Sequence, residues 1–371
     1  MTDAKRPYES PRYSKGRVDR AGERIGGPDE QLEDLIVLEN WRASHANILN
    51  TFKTILYNKS KGFESIEIVQ RLKRRPTIID KLKRESGMKL SRMHDIAGCR
   101  VIFQNMADLE RFRSTMHSGR FDHERRGADN DRWNYVKNPK ESGYRGIHDV
   151  YRYHVEPKKG RAGEDQPWNG MLVEIQYRTK VQHAWATAVE LAGQITENNP
   201  KFNRGSKDFI EYFQLSSEML ARTFEDIPSC KSSCTNLNLL FDLWEADSVT
   251  HISTLFSELR KSEGGIDPSK YSLLIFRYDP DLFDEQLEIQ SFDSMNQAIH
   301  QYNNLEKSLS DKADIVLVGS RSSDSIKSAY RNYFSDATEF LNLLGEAEEY
   351  IDQQARENGE YGPEILPDSI S

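Results

Sequence analysis

The run M-L-V-E-I-Q-Y-R-T at 171–179 decides how this chain is read. Successive side chains of a strand point to opposite faces, so Val173, Ile175 and Tyr177 fall on one side while Glu174, Gln176 and Arg178 fall on the other. A strand over Met171–Tyr177 thus has one face for a core and one that is polar in mid-sheet, where uncompensated polar groups are costly. Such a face wants a ligand. Two further extended runs, Cys99–Phe103 and Ile147–Tyr153, precede it, with helices expected over 107–118 and 180–196. The alternation predicts an α/β or α+β core with a sheet of about five strands.

Toward the N-terminus, Leu35, Leu38, Trp41, Ile48, Leu49, Phe52 and Leu56 recur near the helical period and predict a helix over Leu32–Tyr57. More helix is expected around 64–74, and another from Pro76 to near Gly87, a usual C-cap residue. Residues 1–30 are polar and contain Pro and Gly, which predicts a flexible arm. Toward the C-terminus, helices are expected over 206–225 and 237–262. After Gly264-Gly265 come strands Ser272–Tyr278, Leu287–Phe292 and Ala313–Gly319, with helices at 294–310 and 322–345. The expected organisation is an arm (1–30), a catalytic domain (31–225), a helical connector (226–265), a small α/β domain (266–350) and an acidic tail (351–371).

At 371 residues the chain is long enough for about two to three domains. No run approaches the roughly 18 apolar residues of a membrane span, and the start MTDAKRPYESPRYSKGR lacks a secretory apolar stretch, so a cytoplasmic protein is expected. Three cysteines are too few for a disulfide framework. Cys230 and Cys234 have a C-x3-C spacing with His251 further on, but no convincing fourth ligand follows, and two small residues in a turn after Pro228 are the plainer reading. The net charge of -8 argues against a general nucleic-acid coat protein. The charge is unevenly placed, however: Arg71–Arg92 holds nine basic against two acidic residues, and 346–371 holds eight acidic against Arg356 alone. Each run fits a solvated surface, and together they also fit an anion site facing an acidic element.

There is no phosphate-binding G-x-x-x-x-G-K-[ST] loop, kinase motif set, nucleophile elbow or H-E-x-x-H. What remains is R-L-K-R-R-P-T-I-I-D-K-L at 71–82, H-D-I-A-G-C-R-V at 94–101, N-Y-V-K-N-P-K-E-S-G-Y-R-G-I-H at 134–148 and V-E-I-Q-Y-R-T at 173–179. Lys73, Thr77 and Lys81 at i, i+4 and i+8 predict one helix face able to hold a polyphosphate, or a solvated basic face. Asp95, just before an apolar strand, and Glu174, inside one, are the kind of carboxylate pair that grips a Mg²⁺ bridging phosphates.

Together the four stretches resemble the synthetase domain of the RelA/SpoT family over residues 34–200. The resemblance implies an α+β fold: a mixed-sheet, nucleotidyltransferase-like core flanked by helices, with a small C-terminal α/β regulatory domain. It also implies transfer of pyrophosphate from ATP to a 3′-hydroxyl. Arg71, Lys73, Thr77, Lys81 and Arg100 would then bind ATP. Asp95 and Glu174 would hold Mg²⁺, with Glu174 the base. Lys140, Tyr144, His148, Gln176 and Arg178 would meet the acceptor, Tyr144 by stacking on its base. One departure stands out: the family usually has Lys-Asp-Tyr where this chain has Trp133-Asn134-Tyr135.

W-R-A-S-H-A near Trp41, H-A-W-A-T-A-V-E at 183–190 and A-Y-R-N-Y-F at 329–334 further resemble the CapRel group, capsid-activated fused toxin and antitoxin synthetases. That resemblance implies autoinhibition by Tyr330 and Tyr333, release by a phage major capsid protein, and the 3′ end of tRNA as acceptor. An alarmone synthetase acting on a guanine or adenine nucleotide is the alternative. A binding module without catalysis is the third reading, against which Asp95, Glu174, Arg71 and Arg100 together argue.

Overall fold

The 171–179 run forms the middle strand of a five-stranded mixed sheet: β1 (Glu67–Leu72), β2 (Ala97–Phe103), β3 (Glu124–Arg126), β4 (Ile147–Arg152) and β5 (Leu172–Thr179), in the order β1-β2-β5-β4-β3. The strands β2 and β5 run parallel, and every other neighbouring pair is antiparallel. The computed structural model describes residues 8–119, 121–127, 130–156, 166–196, 206–261, 271–279, 284–294, 313–318 and 323–361, with single positions between 297 and 308. They fall into two compact units, Met1–Asn138 with Gly146–Lys180, and Pro139–Arg145 with Val181–Ser371.

In the first unit the register sets Arg71 opposite Gly98, Gly98 opposite Glu174, and both Arg100 and His148 opposite Gln176. Residues directly opposite share a face, so Arg71, Arg100, His148, Glu174, Gln176 and Arg178 all stand on the same side of the sheet. The reverse side carries buried Cys99, Val101, Tyr151, Ile175 and Tyr177. It packs on α2 (Leu32–Lys59) and α4 (Met106–His117), where Phe52 lies 5.4 Å from Tyr151 and Phe112 lies 6.3 Å from Tyr177.

Two expectations are corrected here. Residues 67–72 are a strand rather than helix, because Ile68 and Val69 are β-branched and six consecutive residues pair with β2. The supposed arm contains helix α1 (Lys15–Gly26), capped by Ser14, whose hydroxyl accepts from the Arg17 amide. Val18, Ala21, Gly22 and Ile25, at i, i+3, i+4 and i+7, are buried. Gly22 is needed at that contact, since a Cβ there would lie 2.7 Å from Leu90 Cβ. The helix is tied down by Arg17, which donates to the fully buried Asp34 at 2.7 Å. The next helix, α3 (Arg75–Arg84), starts with Pro76 in its first turn as expected.

The second unit is built on α5 (Lys180–Thr196), α6 (Ser206–Phe224), α7 (Asn236–Thr250), α8 (Ile252–Lys261) and α9 (Ser323–Glu357). Trp185, Tyr212, Phe213, Leu243, Phe256, Phe340, Leu344 and Ile351 share one core. The expected helix over 237–262 is broken at His251, which takes a left-handed φ of 54°. Its last helix, 35 residues long, continues through the start of the acidic run because Phe340, Leu344, Ala347, Ile351 and Ala355 keep the helical spacing and are buried. Three antiparallel strands, β6 (Tyr271–Asp279), β7 (Asp284–Phe292) and β8 (Ala313–Val318), pair in the order β7-β6-β8. The side chains of Tyr330 and Tyr333 lie outside the described residues, as does most of the helix expected at 294–310. No described helix is long and apolar enough to cross a membrane. Cys230 and Cys234 face the Gln214 carbonyl and Asp242, and no group of three or more His, Cys, Asp or Glu among the described residues can hold a metal ion.

Candidate active site

The residue that follows β1, Lys73, and Lys81 of α3 converge on Asp95. Lys73 follows β1, with its amide bonded to the Ile96 carbonyl (2.8 Å) and its carbonyl accepting from Arg42 (2.7 Å). It is therefore not on the helix, and the expected single face of Lys73, Thr77 and Lys81 does not exist; only Thr77 and Lys81 belong to α3. The strand and the helix still bring both ammonium groups to one carboxylate, at 2.9 Å for Lys73 and 3.2 Å for Lys81. Burial pushes the Asp95 carboxyl up, but the charge and hydrogen bond of Lys73 and the charge of Lys81 outweigh it and hold the group below its ordinary range. Glu174 acts on Asp95 in the opposite sense, so the two carboxylates feel each other's charge.

Glu174 is 4% exposed. Its Oε1 accepts from His148 Nδ1 (3.1 Å) and lies 3.3 Å from His94 Nε2, while its Oε2 accepts from the Gln176 amide (2.8 Å). Burial raises the carboxyl, but hydrogen bonds from both imidazoles more than offset this, leaving it well below the ordinary value. Arg178 donates to Gln176 Oε1 at 3.3 Å, completing a row along the polar face of β5. Trp133 stands 5.7 Å from the His94 ring, and Tyr135 meets the His148 ring edge-on at 5.3 Å. Arg71 and Arg100 occupy the same face of the sheet.

Lys140 and Tyr144 belong to the second unit. Lys140 Nζ lies 5.1 Å from the Tyr144 ring centre, and that ring packs on the Trp185 cluster. Their loop is fixed by Gly143, whose φ of 82° no β-carbon accommodates easily. A Cβ there would also lie 3.0 Å from both the Phe213 carbonyl and Ser217 Cβ. Beside it Arg145, 4% exposed, donates to Glu225 (3.0 Å) and to the Pro228 carbonyl (3.2 Å).

Residues 70–193 match the region found in RelA and SpoT proteins. The chain is also 30% identical over 135 residues to the GTP pyrophosphokinase YjbM of Bacillus subtilis (strain 168), a match covering 36% of this chain and 58% of that protein. The chain thus spans a little over half the length of this relative. Among solved structures, small alarmone synthetase 2 from Bacillus subtilis is 20% identical, covering 50% of this chain and 92% of that one at a TM-score of 0.38. Small alarmone synthetase 1 from the same organism, bound to its product pppGpp, is 24% identical, covering 50% and 94% at a TM-score of 0.36.

All four sequence stretches singled out above fall within or overlap the RelA/SpoT region, and its limits contain both carboxylates. Asp95 and Glu174 fit a hard divalent cation: each offers carboxylate oxygens, one comes from the turn leading into β2 and the other from the neighbouring strand β5, and their mutual repulsion is what such an ion would relieve. His94 is the residue the sequence reading missed. It sat inside a quoted motif, but nothing in its spacing showed that the turn before β2 would aim it at Glu174.

Proposed function

We propose that the chain is a pyrophosphotransferase that moves the terminal pyrophosphate of ATP to a 3′-hydroxyl. The observation carrying this reading is a pair of charge-coupled carboxylates inside the RelA/SpoT region: half-buried Asp95, held by Lys73 and Lys81, and buried Glu174, held by His94 and His148. Arg71, Lys73, Thr77, Lys81 and Arg100 bind ATP; Asp95 and Glu174 hold Mg²⁺, which when bound neutralises charge gathering on the phosphates. Glu174, held ionised, accepts the hydrogen bond of the attacking hydroxyl. Its depressed pKa makes it a weak proton acceptor, so orientation of the nucleophile is its larger contribution, as suits a loose phosphoryl-transfer transition state. His148, Gln176 and Arg178 meet the acceptor, and the RelA/SpoT resemblance adds Lys140 and Tyr144 as acceptor contacts.

For the acceptor we favour the 3′ end of tRNA, on the CapRel resemblance and the net +7 of Arg71–Arg92, whose charge steers a polyanion. In this reading the protein is a toxin of anti-phage defence that blocks translation. The C-terminal segment carrying Tyr330 and Tyr333 restrains it, and a phage major capsid protein releases it. The name of the YjbM relative favours a second reading, a guanine nucleotide as acceptor. ATP carrying a radioactive β-phosphate separates the two: label should pass to tRNA and be lost on removal of the terminal adenosine. Label in a guanosine tetra- or pentaphosphate instead establishes the second reading, and no transfer to either acceptor, with or without capsid protein, rejects the enzyme.

A further inference from the structure

Trp133-Asn134-Tyr135, the stretch that departs from the family pattern, is held by two anchors, Asp131 and Asn134 itself. Asp131, at a left-handed φ of 48°, is gripped by Arg113 of α4, whose Nη1 donates to its Oδ2 at 2.9 Å. The same Arg113, 9% exposed, donates to Asp149 Oδ1 at 2.7 Å. Asp149 follows His148 on β4 and therefore points to the opposite face of the sheet. Asn134 is 2% exposed and both ends of its amide are engaged: Nδ2 donates to Asp131 Oδ2 at 2.8 Å, and Oδ1 accepts from the amides of Val136 (3.2 Å) and Lys137 (3.1 Å). On either side of Asn134 the Trp133 carbonyl accepts from the His148 amide at 3.0 Å, and the Tyr135 amide donates to the Gly146 carbonyl at 2.9 Å. The Trp133 ring sits over Gly127, where a Cβ would lie 3.0 Å from its Cζ3.

We infer that Asn134 is a positioning residue. Locked to Asp131, and through it to Arg113 behind the sheet, it fixes Trp133 against His94 and Tyr135 against His148, and so sets the two imidazoles that hydrogen-bond Glu174. Asn is not interchangeable with Asp here. A carboxylate at 134 has no N–H to give Asp131 and places like charge against it in a buried site, although it could still accept from the Val136 and Lys137 amides. The loss would therefore fall on the link to Asp131, not on the local turn.

The kinetic part of the test rests on the pyrophosphotransfer reading; the spectroscopic part does not. Ring resonances of His94 and His148 are followed by NMR in Asn134→Asp and in the exchanged pair Asp131→Asn with Asn134→Asp, at one fixed pH and with thermal midpoints recorded. Asn134→Asp should shift both sets of resonances and lower kcat about tenfold or more, with KM for ATP little changed. The exchanged pair, which restores one donor and one acceptor between the positions, should return the resonances and part of kcat toward wild type. A folded Asn134→Asp with wild-type imidazole resonances overturns the inference, as does an exchanged pair no nearer wild type than the single variant. If Asn134→Asp does not fold, Gly127→Ala, which crowds the Trp133 ring without touching the clamp, must shift the His94 resonances; unmoved resonances overturn it equally. Altered imidazoles in a protein whose wild type transfers nothing would reject the function and keep the clamp.

Discussion

A carboxylate as buried as Glu174 is expensive unless its oxygens are satisfied, and three side-chain donors meet this one. Glu174→Gln keeps the shape but removes the charge that the imidazoles and a divalent ion require, so kcat should fall about 10²–10³-fold while the protein stays folded, as steady-state rates and circular dichroism will show. Asp95→Asn should cost a comparable factor and also leave Lys73 and Lys81 facing each other without their shared anion. His45 illustrates a purely structural burial. It is 1% exposed on α2, its Nδ1 bonds to the Trp41 carbonyl at 2.7 Å, and burial lowers its pKa from 6.5 to about 4. The unfolded chain therefore takes up a proton more readily than the fold between these values. The stabilisation is complete above pH 6.5 and lost as pH falls toward 4, amounting to about 3 kcal/mol over the whole interval. Urea unfolding of wild type against His45→Leu at several pH values should show this slope only in the wild type.

Among the elements, α2, α4 and β5 were legible because each keeps one period over its whole length with an apolar stripe to bury. The strand β1 was not, since six residues of which two are charged and one is polar carry little intrinsic signal and become a strand through pairing with β2. The helix α1 was passed over because composition was weighed above spacing: Val18, Ala21 and Ile25 are few, but they lie on one stripe. Gly143→Ala should destabilise the second unit by about 1–3 kcal/mol, from a strained φ together with a forced contact against Phe213 and Ser217. Chemical denaturation followed at Trp185, whose indole donates to the Phe213 carbonyl, reports this site directly. An unchanged midpoint would show that the loop relaxes at no cost.

At the scale of the molecule, the expected division into a catalytic domain, a connector and a regulatory domain meets a different arrangement in the second unit, where α9 shares one core with α6, α7 and α8. Phe340 lies 6.2 Å from Phe213 and 6.0 Å from Phe256, so a chain ended at residue 265 should lose cooperative folding of 206–261. Phe340→Ala in the full chain should cost about 3–5 kcal/mol. Amide hydrogen exchange across α6–α8 checks both, and wild-type protection in the shortened chain would show that α9 is dispensable for that core. What the sequence determined by itself was local and periodic: the polar and apolar faces of β5, the long helices, and the four motif stretches that hold Asp95 and Glu174. Those follow from side-chain spacing within one segment, which needs no partner to be read. Only the tertiary structure decided that Lys73 and Lys81 meet at Asp95 from a strand end and a helix, that His94 turns toward Glu174, and that Asn134 is tied to Arg113 across the sheet. Each of these depends on strand order and register between segments distant in sequence, and pairing free energy, not local propensity, sets that register.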